Sequence, residues 1–401
     1  MKEKEQKKRT PWIRPRHRIV CGILRPFVGL YCRIRYGIRA ERFRRQGDRA
    51  YLVLMNHQTP FDQFFVGMSF RRGAVYFLAT EDIFSLGWVS SLIRWLVAPI
   101  PIRKQTTDIS AVMTCIRVAR EGGTIAMAPE GNRTYSGKTE YINPAIAGLA
   151  KKMKLPIALY RIEGGYGVQP RWTDKLRKGH MTGRVAKVIE PEEYKGLSDD
   201  ELMAAIREGL YVDEACVSGE FDCKARAEYL ERAVYVCPHC GFSKFESHGH
   251  EITCCTCGRK AAYNKDKTLS GDFPFTFVAD WYDYQEAFVN RYDPAEHLQE
   301  PIFRDTANVS KVIVYSHKEK FLKDAPMALY GDRITVGDTT YHFDDITAAA
   351  CLGRNKLNIY HGKDVFQFKG DKRFNALKYV NLYFRYRNIK RGNENGNFLG
   401  L

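Results

Sequence analysis

Read for its apolar and polar positions, the chain changes rhythm about halfway along. Between residues 50 and 210, short continuous apolar runs alternate with stretches of helical period. Ala50-Tyr51-Leu52-Val53-Leu54-Met55 reads as a buried strand, with Thr59 and Pro60 opening a helix behind it. Val75 to Ala79 reads as another strand. Thr106 to Glu121 places Ile109, Val112, Met113, Ile116 and Ala119 on one helical face and stops at Gly122-Gly123. The apolar run from Thr124 to Ala128, a helix over Ala145 to Lys152 and a strand over Leu155 to Arg161 follow. A strand near Lys187 leads into Pro191, and Ser198 caps a helix through Leu202, Ile206 and Leu210. Strands alternating with helices at this pitch predict an α/β domain with a largely parallel core sheet over residues 50–213. A charged helical connection is expected over 214–232.

Beyond Gly271 the pattern turns β-rich and aromatic. Val312 to Tyr315, Ala328 to Tyr330, Arg333 to Val336, Thr340 to Phe343, Lys356 to Tyr360 and Val365 to Phe368 read as strands. Gly331-Asp332, Gly337-Asp338 and Gly362-Lys363 read as turns, and Phe374 to Tyr386 as one closing helix. This module is expected over 271–390. Strands folded over a terminal helix resemble a pleckstrin-homology-like module, and no function is drawn from that.

Charge sharpens the N-terminal end. The 401 residues carry a formal net charge of +17. Residues 1–49 hold 16 Lys or Arg against four acids, so most of the excess sits there. Interleaved with the cations are Trp12, Ile13, Ile19, Val20, Ile23, Leu24, Phe27, Val28, Leu30 and Tyr31, the composition of a helix lying in a lipid interface. The apolar run Ile19 to Cys32 is short and interrupted by Arg25 and Pro26. A second, Leu86 to Ile102, falls below the roughly 20 residues of a span. A basic amphipathic arm on an anionic membrane surface is the expectation, peripheral or monotopic.

Cys237, Cys240, Cys254 and Cys257 form two Cys-x-x-Cys pairs with 13 residues between them, each followed by a glycine, Gly241 and Gly258. Four thiolates on paired knuckles suit a closed tetrahedral Zn2+ site of structural type. A zinc ribbon over 233–265 is therefore expected. Thiolate ligation also fits a reducing compartment, and hence the cytoplasmic face of a membrane.

The candidate chemistry lies in the first half. His57 and Asp62 have four residues between them, and a carboxylate that fixes a histidine tautomer makes that histidine a proton acceptor near neutral pH. Thr59-Pro60-Phe61-Asp62 also reads as a helix start, which is compatible with that role. Downstream stand Pro99-Ile100-Pro101-Ile102-Arg103-Lys104, then Pro129-Glu130-Gly131-Asn132-Arg133-Thr134, then Lys154-Leu155-Pro156-Ile157-Ala158-Leu159-Tyr160. These four blocks, in this order, resemble the motifs of the glycerolipid acyltransferases, of 1-acylglycerol-3-phosphate acyltransferase type. The likeness covers roughly residues 45 to 210. The third block departs from the family's Phe-Pro-Glu-Gly-Thr-Arg-Ser at Ala128, Asn132 and Thr134, which bears on the identity of the acceptor.

The resemblance implies transfer of a fatty acyl group from acyl-CoA or acyl carrier protein to a lysophospholipid, with 1-acylglycerol-3-phosphate as the leading acceptor and phosphatidic acid as product. His57 would be the general base and Asp62 its partner. Arg103, Lys104, Glu130, Gly131 and Arg133 would hold the acceptor. No serine or cysteine stands in a nucleophile motif, so a sequential mechanism without a catalytic cofactor is expected. The competing reading is a non-catalytic lipid-binding module, or a zinc-ribbon nucleic-acid-binding module, on an acyltransferase-like scaffold. Nucleic acid is not the expected partner, because the basic residues lie far from the ribbon in sequence.

Overall fold

The computed structural model describes residues 10–80, 83–84, 87–102, 108–313, 317–393, 396 and 398. In chain order the first half comprises α1 (Pro15–Tyr36), β1 (Ile38–Ala40), β2 (Leu52–Met55), α2 (Asp62–Ser69), β3 (Val75–Thr80), α3 (Trp88–Val97), β4 (Ile100–Ile102) and α4 (Ile109–Arg120). It continues with β5 (Thr124–Met127), α5 (Ala145–Met153), β6 (Ile157–Glu163), the short α6 (Gly165–Val168), β7 (Met181–Ile189), the short α7 (Pro191–Tyr194) and α8 (Asp199–Leu210). The seven strands form one sheet in the order β1-β7-β6-β2-β5-β3-β4. Every pairing in it is parallel except β6 with β7.

The central strands are apolar without alternation because helices cover both faces. Leu52 and Leu54 pack with Ile125 and Met127 of β5 against α4, α5 and α8. Val53 and Met55 point the other way, into a core with Phe65 and Val66 of α2 and Cys32 of α1. Ser198 caps α8 in a reciprocal box with Glu201, as its sequence predicts.

The basic arm is more firmly attached than its composition suggests. His17 Nδ1 lies 3.2 Å from Tyr76 Oη, and Arg25 donates to the carbonyls of Gly67, Arg71 and Gly73. α1 runs unbroken through Pro26, and β1 pairs with β7, Ile38 opposite Met181. A charge-based division at residue 49 thus cuts through an edge of the sheet, because backbone pairing leaves no mark in charge. The outward stripe of α1, Ile19, Ile23, Phe27, Leu30 and Ile34, is exposed, as are Trp88, Leu92 and Trp95 of α3. Arg16 joins the two helices, its guanidinium 5.1 Å from the centre of the Trp95 ring and its Nε donating to the Trp95 carbonyl. No helix among the described residues is long and apolar enough to cross a membrane.

Residues 214–232 are not the expected helix. They hold two short turns, Glu214–Cys216 and Leu230–Arg232, around the isolated bridge of Lys178 with Asp222. Phe221 decides this path: its ring fills the space beside Gly167 and Gly179, where an added Cβ would meet it at about 2.5 Å. Nearby, buried Lys267 pairs with buried Glu214 at 3.3 Å and donates to the Val217 carbonyl at 2.6 Å.

The cysteine-bearing segment folds as a two-stranded ladder, Val236–Cys237 with Gly241–Phe242, followed by a four-stranded antiparallel sheet from Phe245 to Gly271. The helix α9 (Val278–Arg291) then opens the region expected to be β-rich. Val278, Trp281, Tyr282, Gln285 and Val289 are buried at helical spacing, a signal outweighed by the many aromatics. The C-terminal half is β-rich and closed by a helix. Its seven antiparallel strands run in the order Thr339–His342, Arg333–Val336, Lys318–Leu329, Phe303–Val312, Asp364–Lys369, Lys356–His361, Ile346–Leu352. The last helix is α10 (Leu377–Lys390). Of the expected strand Val312 to Tyr315, residues 314 and 315 lie outside the described residues. The cysteine-bearing segment, α9, this sheet and α10 share one core, which also takes in Tyr135, Tyr166 and Trp172 from the first half.

Candidate active site

Because β2 and β5 are parallel neighbours, with Leu54 opposite Met127, the segments that follow them leave the sheet at the same edge. His57 stands two residues past the end of β2 and Glu130 three past the end of β5. Glu130 Oε1 accepts the His57 backbone N–H at 2.7 Å, and its Oε2 accepts the Glu140 N–H at 2.8 Å. The Thr134 N–H donates to the His57 carbonyl at 3.0 Å. The first and third sequence blocks are therefore stitched together on both sides of His57. Asn56 adds two hydrogen bonds to the backbone of Ile162, donating to its carbonyl and accepting from its N–H.

His57 Nδ1 lies 2.7 Å from Asp62 Oδ2. Asp62 is fully buried at the start of α2, whereas the imidazole is 27% exposed. The same carboxylate accepts N–H bonds from Gln58 and Thr59 and the Thr59 hydroxyl. The helix start and the histidine contact are one construction: Asp62 reaches back along its own turn and is held there by three other donors.

Both oxygens of Glu130 are engaged by backbone, so it braces the turn rather than facing a ligand. Burial holds its carboxyl well above the usual range, against the pull of the two N–H donors. Gly131 sits at φ 72° with open space around it, so its requirement is the left-handed turn, closed by its N–H to the Ala128 carbonyl. Arg133 is the cation of this turn. Its Nη1 is shut from solvent and has no hydrogen-bond partner among the described residues. Burial, followed by Arg171 and Arg354, pushes it down to about 9. A buried donor without a partner calls for an acceptor, and an anion fits. Arg103 and Lys104 lie outside the described residues.

Two arginines outside every sequence motif stand beside Arg133. Arg171, fully buried in the loop between α6 and β7, donates to the Arg133 carbonyl at 2.8 Å and to Asn132 Oδ1 at 3.2 Å. Arg354 comes from the C-terminal sheet, more than 200 residues downstream. A lone arginine in a loop carries no spacing signal, so only the folded chain could reveal either.

Behind the turn, Glu140 accepts from the Thr134 and Ser136 hydroxyls, and Glu286 of α9 lies near it. Burial, then Glu140 and Asp283, push Glu286 from 4.5 to about 8. Between those values the folded chain keeps a proton that the unfolded chain has released, so this group's contribution to stability falls as pH rises through the window. Glu286→Gln should therefore match the parent near pH 5 and melt at a higher temperature at pH 8. Parallel melting curves at both values would count against it.

Cys237, Cys240, Cys254 and Cys257 bring their sulfurs within 4.8 Å of one another, with Cys237 and Cys257 3.9 Å apart. Tetrahedral ligands at about 2.3 Å from one ion stand about 3.8 Å apart, so the set fits a metal, whereas a disulfide requires about 2.05 Å. Gly241 and Gly258 both have φ 73°, which explains the glycine after each pair.

A mostly parallel sheet delivers a His–Asp pair and a Glu-Gly-Asn-Arg turn to one edge, and residues 37–162 match the acyltransferase family model. Residues 37–162 give the chain an acyltransferase-like domain. Among curated proteins it is similar to the 1-acyl-sn-glycerol-3-phosphate acyltransferase of Bacillus subtilis (strain 168), 20% identical over 163 residues, which covers 41% of this chain and 78% of the relative. Among solved structures it is similar to the 1-acyl-sn-glycerophosphate (LPA) acyltransferase PlsC from Thermotoga maritima, 22% identical with a TM-score of 0.41, over 48% of this chain and 77% of that one.

Proposed function

We propose that this enzyme moves a fatty acyl group from a thioester, acyl-CoA or acyl carrier protein, to the free hydroxyl of 1-acylglycerol-3-phosphate, giving phosphatidic acid. The observation that carries this reading is the 2.7 Å contact of His57 Nδ1 with buried Asp62, stitched through Glu130 to the turn that bears Arg133. The activity of the Bacillus subtilis relative supports the acceptor.

Asp62 accepts a hydrogen bond from the Nδ1–H, which makes Nε2 the basic nitrogen. As the acceptor oxygen closes on the thioester carbonyl carbon, Nε2 takes the hydroxyl proton. The resulting imidazolium is stabilised by Asp62. When the tetrahedral intermediate collapses, the C–S bond breaks and Nε2 returns the proton to the departing sulfur. Arg133, whose Nη1 has no partner among the described residues, binds the acceptor phosphate. The four thiolates hold one structural Zn2+, through which no step passes.

The exposed stripe of α1 and the tryptophans of α3 lie in the headgroup region of an anionic membrane, with Arg14, Arg16, Arg18, Arg33 and Arg35 near the phosphates. Deleting residues 1–49 would remove β1 and, with α1, the Cys32 side chain that packs against Phe65 and Val66, so point variants are the cleaner probe. Because burying one large apolar side chain is worth about 1.5–3 kcal/mol, Ile23→Glu with Phe27→Glu should weaken sedimentation with phosphatidylglycerol liposomes by at least about tenfold. Undiminished sedimentation would remove α1 from the membrane contact.

Acyl transfer by the full chain decides the reading. Labelled acyl-CoA and acyl carrier protein are offered with a panel of lysophospholipids and glycerol 3-phosphate. Phosphatidic acid as the principal product is expected. No product with any pair, from folded zinc-loaded protein, would overturn the proposal.

A further inference from the structure

Arg171 makes four hydrogen bonds, and all end on uncharged oxygens. Two hold the turn of the candidate site, at the Arg133 carbonyl and Asn132 Oδ1. Two hold the C-terminal sheet, from Nε to the Gly353 carbonyl and from Nη2 to the Cys351 carbonyl, each at 3.0 Å. The guanidinium lies over the Tyr135 ring, 4.2 Å from its centre, and the Tyr135 hydroxyl donates to the Arg354 carbonyl at 3.3 Å. The tip of the hairpin between Ile346–Leu352 and Lys356–His361 is thus fastened to the Glu130–Arg133 turn by one buried side chain and one tyrosine.

The tip brings charge with it. Arg354 reaches Asp174 at 2.9 Å, but Arg232 claims the same carboxylate oxygen at 2.9 Å. Arg133, Arg171 and Arg354 therefore gather around the turn, with Asp174 shared between Arg354 and Arg232 and with Asp62 offsetting only part of the repulsion at Arg133. Such an assembly is unfavourable when empty and becomes favourable when a multiply charged anion enters.

We propose that the hairpin tip at residues 353–355 is part of the acceptor site. Arg171 is a positioning residue that sets the Arg133 turn against the tip, and Arg354 supplies a further positive charge for the acceptor phosphate. The C-terminal sheet then tunes acceptor affinity in the enzyme, which goes beyond a bracing role. This inference rests on the reading of Arg133 as the phosphate-binding residue.

The test is steady-state kinetics of the full chain in detergent, with the accepted acyl thioester saturating and 1-acylglycerol-3-phosphate varied. Arg354→Ala should raise the acceptor KM about tenfold with kcat within about twofold, the pattern of lost uniform binding. Arg354→Lys, which keeps the charge, should restore the parent value. Arg171→Lys should raise the acceptor KM at least as much, because an ammonium cannot bridge four oxygens as a fork does, while the thioester KM stays unchanged. Arg354 is partly exposed and its variants keep the core, so Arg354→Ala decides the matter if Arg171→Lys does not fold.

Arg133→Ala separates the two layers. An acceptor KM unmoved by Arg133→Ala would overturn the phosphate reading and the tip with it. An acceptor KM raised by Arg133→Ala but unmoved by Arg354→Ala would overturn the tip proposal alone.

Discussion

His57→Ala is expected to lower turnover by at least about a hundredfold while leaving the fold intact. The expectation of a folded variant has a structural basis. The bonds that lock the first block to the third use the His57 backbone, its N–H to Glu130 and its carbonyl from Thr134, and alanine keeps both. The side chain itself is partly exposed, so little packing is lost. Asp62→Asn behaves differently, because an amide nitrogen would face donors from Gln58, Thr59 and the Thr59 hydroxyl. It should cost stability of order 1–3 kcal/mol besides activity, so it is the poorer test of chemistry. Single-turnover measurement of acyl transfer, beside a melting curve, separates the two effects. A His57→Ala enzyme that turns over at near the parent rate would remove His57 as the base.

Removing the metal should have the second large effect. Purified protein is expected to contain about one zinc per chain, and structural zinc sites of this kind contribute roughly 10–16 kcal/mol of apparent binding energy that is largely folding energy. Cys254→Ser, or chelation, should therefore loosen residues 233–292, seen as loss of amide protection there. The consequence should travel further than the ribbon. Cys237 and Cys254 sit in the same core as Trp281, the C-terminal sheet and Tyr135 of the candidate site, so metal loss should also lower the melting temperature of the whole chain. Zinc-free protein that melts cooperatively at the parent temperature would show that the four sulfurs hold no structural ion.

Much of this was legible from residue types and spacing, because the signals are local. A fully apolar strand needs cover on both faces, so Leu52 to Met55 announces a central parallel strand wherever it occurs. Ser198 and Glu201 close a box within one helical turn, and a Cys-x-x-Cys knuckle with its glycine is a self-contained ligand pair. His57 and Asp62 are close enough in sequence for one turn to join them. The helix α9 carries a local signal too, in the helical spacing of Val278, Trp281, Tyr282, Gln285 and Val289.

What the sequence could not disclose were contacts between distant segments, since nothing local to either partner encodes them. Its motif groups Glu130 with the acceptor-binding residues, yet the tertiary structure gives its two oxygens to the backbone of His57 and Glu140. The connection at 214–232 carries helix-forming residues, but the ring of Phe221 and the buried Lys267–Glu214 pair draw it into irregular turns. Arg171 and the hairpin at 353–355 meet only because the two halves share a core. The sequence by itself determined the parallel sheet, the His–Asp pair and the cysteine knuckles, each written in neighbouring residues. The tertiary structure decided which backbone groups lock the site, and that a sheet more than 200 residues away reaches it, because burial and charge act through space and not along the chain.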